Sequence, residues 1–310
     1  MENIIRPDLS IVILSYKSKS DLARLLPSIF ASVTKYSYEV IVVDNGSDDG
    51  TFEWVETQLK DLRLKDLKII KNSNTGFASG NNIGIKQASG KYILLLNPDT
   101  QIQPDTLEVM QDFMEQRQDV GISGCKVIKP DGNLDLACRR KFPNPWNSFK
   151  RLFLLSRTDY NLTNVDENLE MEVDSVMGAF LLIRNVRKIG ESENRRLPTS
   201  DFRLAGGDFL DEDFFMYGED LDLCWRCKKS GWKVWYYPKT FITHFKGSSS
   251  SQIAFRALKW FHDAMWIFYR KHYKNKYPFI LNWVVFLGVY FRLALLVVIN
   301  IFRSKPAVSK

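Results

Sequence analysis

Carboxylates, amides and an imidazole stand at the ends of apolar runs in this 310-residue chain, in an order suited to holding a nucleotide and its diphosphate. Ser15 and Tyr16 follow LSIVILS, and Asp44-Asn45-Gly46-Ser47 follows YEVIVVD. A carboxylate fixed at a strand end can accept from a nucleobase N–H or from ribose hydroxyls, and a glycine turn lets backbone approach a ligand. A polar loop after a buried strand is the plainer alternative. In residues 72–84, NSNTGFASGNNIG, the Asn amides offer directional hydrogen bonds, and the small residues clear space for something lying against a helix N-terminus. This stretch is neither the dinucleotide GxGxxG nor the P-loop Gly-Lys-Ser/Thr, which argues against hydride transfer and ATP hydrolysis.

Asp99, in Asn97-Pro98-Asp99 just past KYILLL, is placed to hold Mg2+ or Mn2+ bridging a diphosphate; capping the next helix is the competing role. Residues 211–222, DEDFFMYGEDLD, gather six acids, which is costly unless a cation or a hydroxyl needing a base stands nearby. Asp220, opening a helix that runs through Trp225, can take a proton from an acceptor hydroxyl. Favourable interaction with the helix dipole is the simpler account of Asp222. His244, after the last apolar strand, can complete a metal site or contact a diphosphate, with a core or surface role as the alternative.

The runs at 9–15, 38–44, 67–71, 91–97 and 120–128 are continuously apolar, the mark of strands buried on both faces, and patterned helices lie between them. An α/β fold follows: a doubly wound, mostly parallel sheet with helices on both faces, binding ligands beyond the carboxyl ends of its strands. Residues 130–170 read as a mobile loop with some helix. Residues 173–183 and WKVWYYP return to strand around a helix from Glu219 to Ser230, and residues 191–208 form a polar surface insertion. Cys125, Cys138, Cys224 and Cys227 are too few and scattered for a secreted disulfide framework and read as structural thiols. The N-terminus lacks the pattern of a signal peptide, which puts the catalytic body in the cytosol.

Taken in order, SYKS, VVDNGSDDGT, NTGFASGNNIG, LLLNPDT, MGAFLLIR, DEDFFMYGEDLDLCWR and HFKGSS resemble the family 2 glycosyltransferases, in particular their rhamnosyltransferase-like subgroup. The resemblance runs from about Leu9 to Ser249. It implies a GT-A fold and inverting transfer of a sugar, such as L-rhamnose from dTDP-rhamnose, to a lipid-linked glycan in cell-surface polysaccharide synthesis. By matching positions, Ser15, Tyr16, Asp44, Asn74, Thr75 and Gly76 hold the base and ribose, with Asn45, Asn81 and Asn97 in the same donor site. Asp99 and His244 take the metal positions and Asp220 that of the catalytic base. Met177, Gly178, Ala179, Glu219, Trp225 and Arg226 fall to the sugar and acceptor pocket. Asn97 replaces the first Asp of the family's DxD, and the 191–208 stretch interrupts what is normally a short connection. Sugar transfer to a polyprenyl phosphate, or a non-catalytic membrane scaffold, are the other readings.

The formal charge of +7 is not spread evenly. Residues 251–310 carry ten basic side chains and one acid, leaving residues 1–250 at −2, so the body is no nucleic-acid binder. Residues 1–250 read as the catalytic domain and 251–310 as membrane-associating helices. Residues 254–273 form an amphipathic, aromatic-rich helix, which could equally pack on the body. Phe279 to Phe302 is long and apolar enough to cross a bilayer despite Arg292, or to bend at Gly288 and Arg292 and lie in the interface. The expected place is the cytoplasmic face of the plasma membrane, peripheral or single-pass.

Overall fold

The computed structural model describes residues 6–61, 67–153, 158–187, 201–245 and 254–302. Strands and helices alternate first: β1 (Leu9–Ser15), α1 (Lys19–Phe30), β2 (Tyr38–Asn45), α2 (Thr51–Asp61), β3 (Leu67–Asn72), α3 (Phe77–Gln87) and β4 (Tyr92–Leu96). There follow β5 (Thr100–Ile102), α4 (Thr106–Gln116), β6 (Val120–Ile128), β7 (Arg139–Arg140), α5 (Pro145–Phe153), α6 (Thr158–Asn161), β8 (Met171–Glu172), β9 (Ser175–Val176) and β10 (Phe180–Arg184). The chain closes with α7 (Glu219–Lys229), β11 (Lys233–His244), α8 (Ala254–His272) and α9 (Phe279–Ile301).

The main sheet runs β3-β2-β1-β4-β10-β6-β11-β5. Every residue of β1 and β4 is buried, which is why those runs lack polar alternation. β3, β2, β1 and β4 are mutually parallel, and β6 pairs parallel with β11; β10 runs antiparallel between β4 and β6. The sheet is therefore mixed. The reversal matters for function, because it brings the residues before β10 to the carboxyl end of β4, where Phe180 pairs with Leu96. The short β5 pairs antiparallel with the end of β11, setting His244 opposite Thr100. β5 also removes the helix-capping role for Asp99: it intervenes before α4, whose N-cap position is taken by Asp105.

The small residues of the 72–84 stretch mostly serve packing. A Cβ on Gly80 would lie 2.5 Å from Leu14 Cδ1, and one on Gly84 would lie 2.5 Å from Val12 Cγ1. These glycines let α3 settle onto β1 and β2, rather than making room for a ligand. Only Gly76 at the helix N-cap, with φ of 95°, is required by its own backbone conformation.

The described residues of the 130–170 stretch, 130–153 and 158–170, make more buried contacts than the sequence predicts: Arg139, Arg140 and Cys138 are buried there. In the stretch read as a polar insertion, residues 191–200 lie outside the described residues, while Phe202 is buried and packs edge-on against Phe209 and Trp232. All four cysteines are free and buried.

α8 lies against the body. Phe214, Ala264, Phe268, Tyr269 and Tyr273 form a second apolar cluster with Phe142, Tyr217 and Trp225 packed on it. α9 doubles back beside α8 and is unbroken through Gly288 and Arg292. Gly84→Ala should cost about 1–3 kcal/mol in urea unfolding, the usual range for overpacking, because both strands that would meet the new methyl are buried on both faces.

Candidate active site

Three loops at the carboxyl edge of the parallel strands build one half of the site. Ser15 and Asp44 end β1 and β2 side by side in register and are fully buried. Ser15 Oγ and Asp44 Oδ1 have no hydrogen-bond partner. Buried polar atoms are rarely left this way, so the pair marks a place where a ligand's donors fit. Burial raises the Asp44 carboxyl above its ordinary value, against the opposing bond from Ser47 N–H at 3.4 Å. Tyr16 follows at the β1 end, partly exposed.

Asn45 has a different task. Its Nδ2 donates to Asn74 Oδ1 and to Gly76 O, both at 3.2 Å, and its Oδ1 accepts from Asn72 Nδ2 at 2.9 Å and Thr75 N at 3.3 Å. With all four bonds closed within the protein, Asn45 shapes the β3–α3 loop and has no amide left for a nucleotide. Asn74 also accepts from Gly76 N, and Asn74 and Thr75 remain exposed at the rim. Asn81 is likewise turned inward, donating to Phe77 O at 2.9 Å.

The second half is assembled from distant parts of the chain. Asp220 Oδ2 accepts from Arg140 Nη2 at 2.7 Å and from Gly178 N at 3.1 Å, while Oδ1 accepts from Leu221 N at 2.7 Å. Arg140 also donates to Ser175 Oγ and Val176 O. Ala179 O, one residue past Gly178, accepts from Asn97 N at 3.1 Å. Met177-Gly178-Ala179 thus forms a bridge, with Asp220 at one end and Asn97-Pro98-Asp99 at the other. Met177 and Gly178 are partly exposed along it, whereas Ala179 is buried.

Beyond that bridge, His244 Nε2 lies 3.2 Å from Asp99 Oδ1, and its Nδ1 lies 3.4 Å from Asp135 Oδ2. Burial alone would lower the imidazole pKa, but bonds to Asp135 and Asp99 outweigh it and raise it. A carboxylate on Nδ1 orients the ring and directs Nε2 toward Asp99, the arrangement that metal-binding histidines use. Asp99 and His244 Nε2 therefore fit as protein ligands of a divalent cation. Asp135 faces the far side of the ring, and no cluster of three preformed ligands is present among the described residues.

Trp225 and Arg226 do not reach this pocket. Trp225 sits between α7 and α8, with ring centroids 4.7 Å from Phe142 and 4.8 Å from His272. Arg226 pairs with Asp222 at 2.7 Å and donates to Phe202 O and Phe209 O, tying down the segment that leads into the acids. Glu219 points inward with Oε2 unpartnered; burial, reinforced by the neighbouring Asp220 charge, pushes its carboxyl well above the usual range. Its burial favours the neutral acid.

The other acids meet partners that sequence spacing did not reveal. Lys271 of α8 reaches Asp211 at 2.5 Å and Asp213 at 2.7 Å, and His272 Nε2 reaches Asp222 at 2.8 Å. Asn82 joins α3 to the same segment through Leu210 N, Leu210 O and Glu212. Arg140 and Asp135 went unnoticed because residues 130–170 show no periodicity. The one available signal was the adjacent pair Arg139-Arg140, with no acid beside it in sequence to answer it.

An α/β sheet with an orphaned serine–aspartate pair at its carboxyl edge, a carboxylate–imidazole pair and a buried aspartate across a short bridge has the parts of a nucleotide-sugar transferase. The sequence profile of Glycosyl transferase family 2 matches residues 10–167, and that of Glycosyl transferase family group 2 matches residues 92–308. The chain belongs to glycosyltransferase family 2. It is 25% identical to the N-acetylglucosaminyl-diphospho-decaprenol L-rhamnosyltransferase of Mycobacterium tuberculosis over 96% of this chain and 95% of that protein. It is 26% identical to the rhamnosyltransferase WbbL of Escherichia coli K12 over 81% of this chain and 88% of that one. The mannosyltransferase PcManGT of Pyrobaculum calidifontis, solved with GDP-Man and Mn2+, superposes with a TM-score of 0.54 at 16% identity, covering 98% of this chain and 78% of that one. The shared architecture is the GT-A fold.

Removing one member of a buried ion pair strands the other, so Arg140→Met should cost about 3–5 kcal/mol in chemical denaturation. Adding Asp220→Asn should recover part of that loss, seen as positive coupling in a double-mutant cycle. Glu219 gives a pH signature. It holds its proton more tightly in the folded than in the unfolded state, so its contribution to stability is complete below the ordinary carboxylate range and fades as pH rises toward its raised folded value. Melting curves of Glu219→Gln should match wild type in acid and exceed it increasingly toward alkaline pH.

Proposed function

We propose that this protein is an inverting, metal-dependent glycosyltransferase that moves a sugar, L-rhamnose from dTDP-rhamnose as the first donor to test, to a hydroxyl of a lipid-linked glycan. The observation that carries the reading is the bridge of residues 177–179, which holds a base candidate at one end and a metal-binding pair at the other. Ser15 and Asp44 are assigned to the donor base and ribose, with Tyr16, Asn74, Thr75 and Gly76 around them and Asn97 at the diphosphate end. The two rhamnosyltransferase relatives support the donor, and the diphospho-decaprenol in the name of one supports the lipid-linked acceptor.

Asp220 acts as the base. Arg140 and Gly178 N–H fix its Oδ2, and Oδ1, with one bond from Leu221 N, retains a lone pair for the proton of the acceptor hydroxyl. That hydroxyl attacks the anomeric carbon from the face opposite the departing diphosphate, which inverts the centre in a single displacement. Asp99 and His244 Nε2 hold Mg2+ or Mn2+, the latter also present in the mannosyltransferase of the same fold. The cation supplies positive charge for the leaving diphosphate. Residues 1–250 carry this chemistry, and residues 251–310 attach it to the cytoplasmic membrane face.

A panel of nucleotide sugars assayed with a polyprenyl-diphosphate-linked acceptor tests the reading. dTDP-rhamnose should turn over, EDTA should abolish turnover and Mn2+ should restore it. Asp220→Asn should lower kcat by about 10²–10⁴, the usual worth of a general base, while nucleotide binding by calorimetry stays intact. Full activity in that variant would remove the base assignment, and absence of nucleotide-sugar binding would favour the scaffold.

A further inference from the structure

We infer that α9 lies in the plane of the membrane interface as the outer member of a helical hairpin, and does not cross the bilayer. The inference rests on the membrane attachment proposed above and adds its geometry. By length and composition α9 could span, with a mean hydropathy of 2.4. Its contacts say otherwise. Tyr269 OH donates to Asn282 Oδ1 at 2.7 Å, Trp266 packs on Phe286 with centroids 5.1 Å apart, Tyr290 OH donates to Asp263 Oδ1 at 3.1 Å, and Arg292 Nη1 meets His262 Nε2 at 2.9 Å. These contacts set α9 antiparallel to α8 along about 15 Å of its length.

That same stretch of α8 is fixed to the catalytic body. Trp260 packs on Phe215 at 4.5 Å, Phe261 on Tyr217 at 5.8 Å, and Lys271 pairs with Asp211 and Asp213. If α9 crossed a bilayer, its midpoint, Tyr290, would sit at the midplane. Asp263 and its ion-pair partner Lys259, whose side chain is 66% exposed, would sit beside it. The irregular backbone of residues 215–218 would be drawn to the same depth, where lipid-exposed loops are not tolerated.

Laid flat, the helix has no such conflict. Ile280, Val284, Leu287, Phe291, Leu295 and Val298 form one exposed stripe along its length, at steps of three and four. The polar side chains of α9 are elsewhere: Asn282, Tyr290 and Arg292 bond toward α8, and Asn300 is buried. Exposed Arg256, Lys259, Arg270, Lys274 and Lys276 flank the hairpin at headgroup level, and Trp266, Trp283 and Tyr277 supply the amphipathic rings favoured there. A bilayer with anionic headgroups is the partner this surface fits.

The test uses the full chain on sealed vesicles of phosphatidylethanolamine and phosphatidylglycerol. Single variants Val284→Cys, Leu287→Cys, Phe291→Cys and Val298→Cys receive a nitroxide, since the four native thiols are buried. Collision with oxygen and with a water-soluble nickel chelate then reports depth. An in-plane helix gives one shallow depth, about 5–10 Å, at all four positions. A profile deepest at Phe291 and shallower toward both ends overturns the inference, as does failure to bind the vesicles. On the unaltered protein, trypsin added outside should cleave after Arg303, and protection of that site would overturn it too. Sugar transfer is scored in the same vesicles, so its loss alongside a uniform shallow depth counts against the functional reading alone.

Discussion

Crowding of negative charge is the constraint on which the segment leading into α7 depends. Residues 211–222 bring six carboxyl groups together, and the fold answers five of them in separate ways. Lys271 meets Asp211 and Asp213, Arg226 and His272 meet Asp222, Arg140 meets Asp220, and Glu219 stays neutral in the interior. Those partners come from β7, α7 and α8, which are separate stretches of the sequence. Answering the acids therefore ties these elements together: the strand carrying Arg140 meets the start of α7, and α8 lies against the same segment. Much of the positive charge that sets residues 251–310 apart is exposed, but Lys271 is spent on the acids of the catalytic body.

The strands were legible because burial on both faces erases polar alternation, leaving runs such as LSIVILS and KYILLL that admit few other readings. The direction of β10 was not legible. FLLIR carries the same pattern whichever way it runs, and only its pairing with Leu96 and Ile122 shows the reversal. The roles of Arg140 and Asp135 were hidden for a related reason. Each acts on a residue 80 or 109 positions away, within a stretch lacking periodicity, and no local pattern encodes a partner at that distance.

Residue type misled at Asn45, Arg226 and Trp225. Each has chemistry suited to a ligand, yet the bonds of Asn45 and Arg226 are closed inside the protein and the Trp225 ring is held among other aromatic rings. An amide that can read a nucleobase can equally hold a loop. For the amide and the guanidinium what separates the two uses is whether valences remain open, as they do on Ser15 and Asp44; Trp225 keeps its Nε1 open as well, and only its packing between α7 and α8 sets it apart.

Phe77 N donates to Phe215 O at 2.6 Å, and Asn82 clasps Leu210 from both sides. The β3–α3 region and the segment carrying the acids are therefore joined by a backbone bond and by the amide of one side chain. Were binding on one side of that junction to shift it, linkage would make the effect mutual: a donor that tightened the acid-bearing segment would itself be held more tightly once that segment was occupied.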